Sequence, residues 1–217
     1  MRYVFEEELN QLNKDMISMS ALCEEAIGTA VDYLLAPETN RKKDVLDIVD
    51  QVNHKEREIE NMCLKLLMQQ QPVASDLRVI SAVLKMVSDL ERVGDNADDI
   101  AEIVSMDNIN PASVKNIHLD EMATAARKML SDSINAFVKR DEALARQVIE
   151  DDDIVDNFFD RIKIKLSGDF GKENPNLDEL LDLFMVTKYF ERISDHSVNI
   201  AQWVVFVITG KLEGNTN

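Results

Sequence analysis

The segment Leu90-Glu-Arg-Val-Gly-Asp-Asn-Ala-Asp-Asp-Ile-Ala-Glu-Ile-Val104 returns one hundred residues later as Phe190-Glu-Arg-Ile-Ser-Asp-His-Ser-Val-Asn-Ile-Ala-Gln-Trp-Val204. Glu91, Arg92 and Asp95 recur as Glu191, Arg192 and Asp195 while their neighbours drift. A repeat at this distance in 217 residues leaves room for two similar halves, each with an acidic segment near its end. We expect one unit over 1–110 and a second over 111–217.

Four prolines punctuate the chain, at Pro37, Pro72, Pro111 and Pro175, and the stretches between them are rich in Leu, Ala, Met, Glu and Lys. Proline is tolerated at helix starts and in connections but breaks helix interiors. The pattern predicts helices over 4–35, 39–70, 74–106, 113–139, 141–167 and 176–209, with Asp141 capping the fifth. The expected fold is all-α: two tandem three-helix bundles, six long antiparallel helices related by internal pseudo-symmetry. Helices of about 30 residues reach about 45 Å, so the molecule should be elongated.

In the third helix Ile80, Val83, Val87, Leu90, Gly94, Ala97, Ala101 and Val104 form a stripe that faces a bundle. Its small middle residues, Gly94 and Ala97, are matched by Ser194 and Ser197, so close helix packing accounts for that part of the repeat. Beside the stripe run Glu91, Asp95, Asp98 and Glu102, with Asp99 further round. Four carboxylates in a row repel one another unless Arg92, solvent or a bound cation intervenes. For one such pair, a solvated face is the plain reading.

Helix pairing adds a second consideration. If the second and third helices turn back near Gln71-Pro72, Asn53 lies level with Glu91, and by the same count Asp152 lies level with Glu191. Asp152 and Asp156, spaced i, i+4, would then face Glu191 and Asp195 across a groove. Such oxygen-rich sites suit iron, Mn²⁺, Mg²⁺ or Ca²⁺ rather than structural zinc. His196 either joins the second site or is simply solvated, and His54 and His118 show no partner spacing.

Other chemistry finds little support. No Glu is followed three residues later by His, as carboxylate-bridged di-iron bundles require, and phosphate-loop, nucleophile-elbow and HExxH motifs are missing. We therefore expect no enzyme. A net charge of −17 disfavours nucleic acid and anionic lipid, and no apolar run reaches the roughly 20 residues of a membrane span. The N-terminus lacks a signal peptide, and Cys23 and Cys63 lack CxxC spacing, which fits a cytoplasmic protein with buried thiols.

The segment Gln71-Pro-Val-Ala-Ser-Asp-Leu-Arg78, followed by the paired Glu-Arg-x-x-Asp segments and closed by Ile208-Thr-Gly-Lys211, resembles the PhoU family of accessory regulators of bacterial phosphate transport from end to end. The resemblance implies two three-helix bundles, usually dimeric. It also implies a negative regulator of the phosphate-starvation response that couples a phosphate ABC transporter, through its ATPase subunit, to a sensor histidine kinase. Family members carry metal clusters on faces that map here onto Glu91 and Asp95, with Asp99 following, and onto Glu191 and Asp195, with Asn199 following. Val198 and Gln202 replace Asp98 and Glu102 in the second half, so occupancy is expected to differ between the sites. A metal-independent helical adaptor and a carboxylate–metal enzyme are the rival readings. The Gln71–Arg78 segment reads as a helix start capped by Ser75 or Asp76, or as a partner surface as well.

Overall fold

Each interruption of the helical pattern has a local cause in the computed structural model, which describes residues 2–69 and 73–211. After α1 (Arg2–Leu35), Pro37 opens a short 3-10 turn (Pro37–Thr39), and Asn40, at φ 47°, redirects the chain into α2 (Lys42–Gln69). Helix α3 (Ala74–Val104) starts from extended Val73 without a side-chain cap, so neither Ser75 nor Asp76 plays the expected capping role. Gln71 and Pro72 lie outside the described residues.

Asn110 caps α4 (Pro111–Asn116) by accepting from the Ala112 N–H at 2.9 Å. The helix expected over 113–139 is in fact divided at His118, which adopts φ 60° before α5 (Leu119–Lys139). Ile117 and Leu119 are both buried. In a continuous helix, residues two apart point about 200° away from each other, so the break is what turns both inward. Arg140, at φ 51°, closes α5, and the Asp141 carboxylate accepts from the Leu144 N–H to start α6 (Glu142–Phe170), as expected. Asn176 caps α7 (Leu177–Thr209), which ends at Gly210.

Helices α1, α2 and α3 pack together, as do α5, α6 and α7, and the groups join where α3 meets α7 and α1 meets α5. This neighbour pattern places α2, α3, α7 and α6 side by side in one layer, with α1 and α5 behind. The eight-residue stripe of α3 is buried throughout. A Cβ on Gly94 would come within 3.2 Å of Val52 Cγ1, so this glycine lets α2 approach closely. In α7 the equivalent position is Ser194, fully buried, whose hydroxyl donates to the Glu191 carbonyl at 2.7 Å. Both cysteines are buried; burial pushes the Cys63 thiol up to about 12 and the Cys23 thiol further still, which makes them packing residues rather than nucleophiles.

Helices α3 and α7 run antiparallel, so the start of each meets the end of the other. Asn108 donates to Asp182 at 2.9 Å and the Asn110 N–H to Glu179 at 3.1 Å, tying the end of α3 to the first turns of α7. At the opposite end, the Arg78 guanidinium lies against Gly210, whose φ of 74° and missing side chain make room for it. A Cβ there would fall 2.8 Å from Arg78 Nη1. Gly210→Ala should cost about 1 kcal/mol, since the left-handed conformation and the Arg78 contact both resist a side chain. The midpoint of urea unfolding measures it.

Candidate functional site

The α6–α7 groove gathers the four acids that spacing placed there. Asp152 and Asp156 on α6 and Glu191 and Asp195 on α7 act on one another electrostatically. Burial comes first among the causes that push Asp152 up to about 6, followed by Asp156 and Asp195; a Ser194 hydrogen bond opposes the rise, although that hydroxyl also serves the Glu191 carbonyl. Burial, and then Glu191, likewise raise Asp156 and Asp195. Asp152 Oδ1 is buried without a hydrogen-bond partner. A buried carboxylate oxygen in that condition is costly and is normally satisfied by something.

One cation of the protein itself enters this groove. Lys188 Nζ binds Glu191 Oε2 at 2.5 Å and lies 5.3 Å from the centre of the Phe159 ring. Its charge favours the ionised forms of Asp156 and Asp195.

The first half is arranged differently. Arg92 pairs with Glu91 at 3.3 Å and Asp95 at 3.0 Å. Burial, then Asp95, raises Glu91; burial, then Glu91, raises Glu56, an α2 acid that sequence spacing did not single out. Asn53 on α2 also has a buried, unpartnered Oδ1, one residue from the Val52 that packs on Gly94. Further along, Lys42 pairs with Glu102 and favours ionised Asp98, whose titration burial and then Asp99 push upward.

Asp99 and Asn199 lie on the α3–α7 seam. Burial, with Asp95 adding to it, pushes Asp99 up, against a Tyr189 hydrogen bond and the Arg192 charge, which favour its ionised form. Arg192 stacks 5.5 Å from the Tyr189 ring centre. Asn199 donates to Asp89 at 3.2 Å, and His196 Nδ1 meets the same oxygen at 2.9 Å. Thus His196 is not left to solvent: it ties α7 to α3 and its charge also favours the ionised forms of Asp195 and Glu91. His54 and His118 also have acid partners, Glu58 at 3.2 Å and Glu121 at 2.8 Å.

Among the described residues, no three His, Cys, Asp or Glu side chains stand in a metal-ligand arrangement. The donor chemistry nevertheless fits a hard cation in the α6–α7 groove: four carboxylates, one with an orphaned oxygen, against one ammonium. The contributions of Lys188 and Glu56 went unread in the sequence, though Lys188 stands three residues before Glu191, a spacing that favours pairing.

The PhoU domain family model matches residues 16–104 and 119–204. This chain belongs to the PhoU family. The two matched stretches each end on an echoed segment. Relatives include the phosphate-specific transport system accessory protein PhoU homolog of Clostridium acetobutylicum, 32% identical over 97% of this chain and 96% of that protein. The Synechocystis homolog of the same name is also 32% identical, over 98% of this chain and 94% of its own length. The crystal structure of PhoU from Pseudomonas aeruginosa matches with a TM-score of 0.87 at 29% identity, covering 95% of this chain and all of that one. The phosphate transport system regulatory protein PhoU from Streptococcus pneumoniae, at 23% identity, matches in fold with the same TM-score over 97% of this chain.

Proposed function

We propose that this PhoU-family protein is an accessory regulator of phosphate transport that restrains the phosphate-starvation response when phosphate is plentiful. The observation that carries the reading is the end-to-end likeness to proteins named as phosphate-transport accessory proteins. In this reading the protein is a cytoplasmic homodimer, built from units at 1–110 and 111–217. It links the ATPase subunit of a phosphate ABC transporter to a sensor histidine kinase and catalyses no reaction of its own. No helix among the described residues is long and apolar enough to cross a membrane, so membrane proximity would come through these partners.

The acidic grooves supply the second part of the reading. Asp152, Asp156, Glu191 and Asp195 would hold one cation, with Glu91, Asp95 and the Asn53 carboxamide forming a weaker counterpart. A bound cation would neutralise the groove and satisfy Asp152 Oδ1. Asp99 and Asn199, on the α3–α7 seam, would add oxygen ligands at the edge of these sites. The orphaned oxygens of Asp152 and Asn53 favour this reading over a purely solvated face or a metal-independent adaptor.

Affinity capture from phosphate-replete cells should recover the transporter ATPase and the histidine kinase, identified by mass spectrometry; recovery of neither would overturn the regulatory reading. For the cation, Glu191→Gln/Asp195→Asn should abolish Mn²⁺ binding in the α6–α7 groove, measured by calorimetry, with the helical circular dichroism unchanged. Equal binding by parent and double variant would remove the groove as the site.

A further inference from the structure

Lys188 is placed where a bound cation would act. Its ammonium contacts Glu191 at 2.5 Å, packs over Phe159, and bears electrostatically on Asp156 and Asp195. The next basic residue along α7, Arg192, turns instead to Tyr189 and the α3–α7 seam. In the first half the same task falls to a different position. Ser88 stands at the repeat equivalent of Lys188 and bonds the Leu84 carbonyl at 3.4 Å, while Arg92 itself pairs with Glu91 and Asp95. Each half thus carries a tethered cation among its acids, delivered from non-equivalent places. Duplication alone does not produce that outcome.

We propose that Lys188 is a built-in counter-ion that occupies the α6–α7 acid groove and sets its affinity for divalent cations by competing with them. The inference rests on the cation reading of that groove given above. A lysine ammonium is a compact, strongly hydrated point charge on a flexible stem. It can offset part of the groove's negative charge when no metal is bound and swing toward solvent when one enters. Entry of a divalent cation then requires breaking the Glu191 pair, or tolerating a like charge a few ångströms away. Phe159 contributes to holding the lysine inward, since a cation over an aromatic face is itself attracted. Arg92 would be a poorer competitor in the first half. At 63% side-chain exposure it is better solvated than Lys188, at 35%, and its planar fork bridges two carboxylates on its own helix, whereas Lys188, paired within α7, also lies over the Phe159 ring of α6.

The test is Mn²⁺ titration of the full chain by calorimetry, with thermal unfolding in chelator and in Mn²⁺ as an independent readout. Lys188→Met keeps the aliphatic stem against Phe159 and removes the charge. It should bind Mn²⁺ about tenfold more tightly than the parent, the size expected for losing one partly screened like charge. In chelator it should unfold at a lower temperature than the parent, and Mn²⁺ should raise its midpoint by more. Lys188→Arg keeps the charge but not the compact ammonium, and should fall between the parent and Lys188→Met. Lys163→Met removes the same charge from an exposed position on α6, about 10 Å along the helix from Asp156, and should also match the parent. Parent and Lys188→Met affinities within twofold of each other would overturn the competition. Equal tightening by Lys163→Met would reduce the effect to net charge and overturn it as well. If neither parent nor Lys188→Met binds Mn²⁺ and neither melt responds to it, the cation reading itself fails and this inference with it.

Discussion

Phe190→Ala should lower the unfolding free energy by about 3–5 kcal/mol, the range for truncating a buried aromatic that leaves a cavity. Phe190 is fully buried and heads the fully buried side chains by size, in the helix that contacts α3, α5 and α6 at once. A void at a fully buried position of a helix packed between three others closes only if a neighbour shifts and loosens its own packing. The repeat supplies an informative second variant, because Leu90 fills the corresponding place in α3 and is also fully buried. Phe190→Leu should cost about 1–1.5 kcal/mol, as a smaller apolar side chain fills much of the space. Guanidinium unfolding measures both, with an unchanged slope showing that the two-state transition survives. A loss for Phe190→Ala no larger than that for Phe190→Leu would show that α7 can collapse onto its neighbours. By contrast, Met68→Ala, at 82% exposure, should change stability by less than about 0.5 kcal/mol.

What could be read from the sequence was what each helix owns by itself. The α3 stripe, the Asp141 cap and the i, i+4 acid pairs all follow from a single helical period. Even the level pairing of Asp152 with Glu191 needed only one short connection and a fixed rise per residue. The break at His118 was hidden because no proline or glycine marks it; it comes from the need to bury both Ile117 and Leu119, which tertiary packing decides. The partners of His196, Asn199, Asp99 and Arg192 were hidden for a related reason. They meet across α3 and α7, helices from different halves, and periodicity names the face of a helix without naming its neighbour. Asp99 and Asn199 show the consequence: the echoed motif places them beside the acids of each groove, but it could not show the hydrogen bonds they make across the seam, to Tyr189 and Asp89.

Asp152→Asn should reverse the usual expectation that removing a charged residue from a motif weakens the protein. The Asp152 carboxyl titrates at about 6 in the folded chain, against an ordinary value of 3.8. Well below pH 3.8 it is protonated in both folded and unfolded states and contributes no difference. As pH rises from about 3 to 6, the unfolded chain ionises this group first, so unfolding is favoured and stability falls; above pH 6 the full penalty is present. Two units would be close to 3 kcal/mol for a fully shielded group. Solvent reaches this groove, and about half of that, roughly 1.5 kcal/mol, is the expected loss. In chelator-treated buffer the parent should therefore lose stability between pH 4 and pH 7, with Asp156 and Asp195 adding to the same trend because their titrations also shift upward. Asp152→Asn should be more stable than the parent at pH 7, about equal near pH 3, and flatter in between. Urea unfolding at a series of pH values measures this. Saturating Mn²⁺ supplies the contrast: if the cation binds the ionised groove, the parent should regain stability at pH 7 while Asp152→Asn gains less. A parent whose stability rises steadily from pH 4 to 7 in chelator, with Asp152→Asn no more stable than the parent at pH 7, would show that ionised Asp152 carries no penalty in the folded chain.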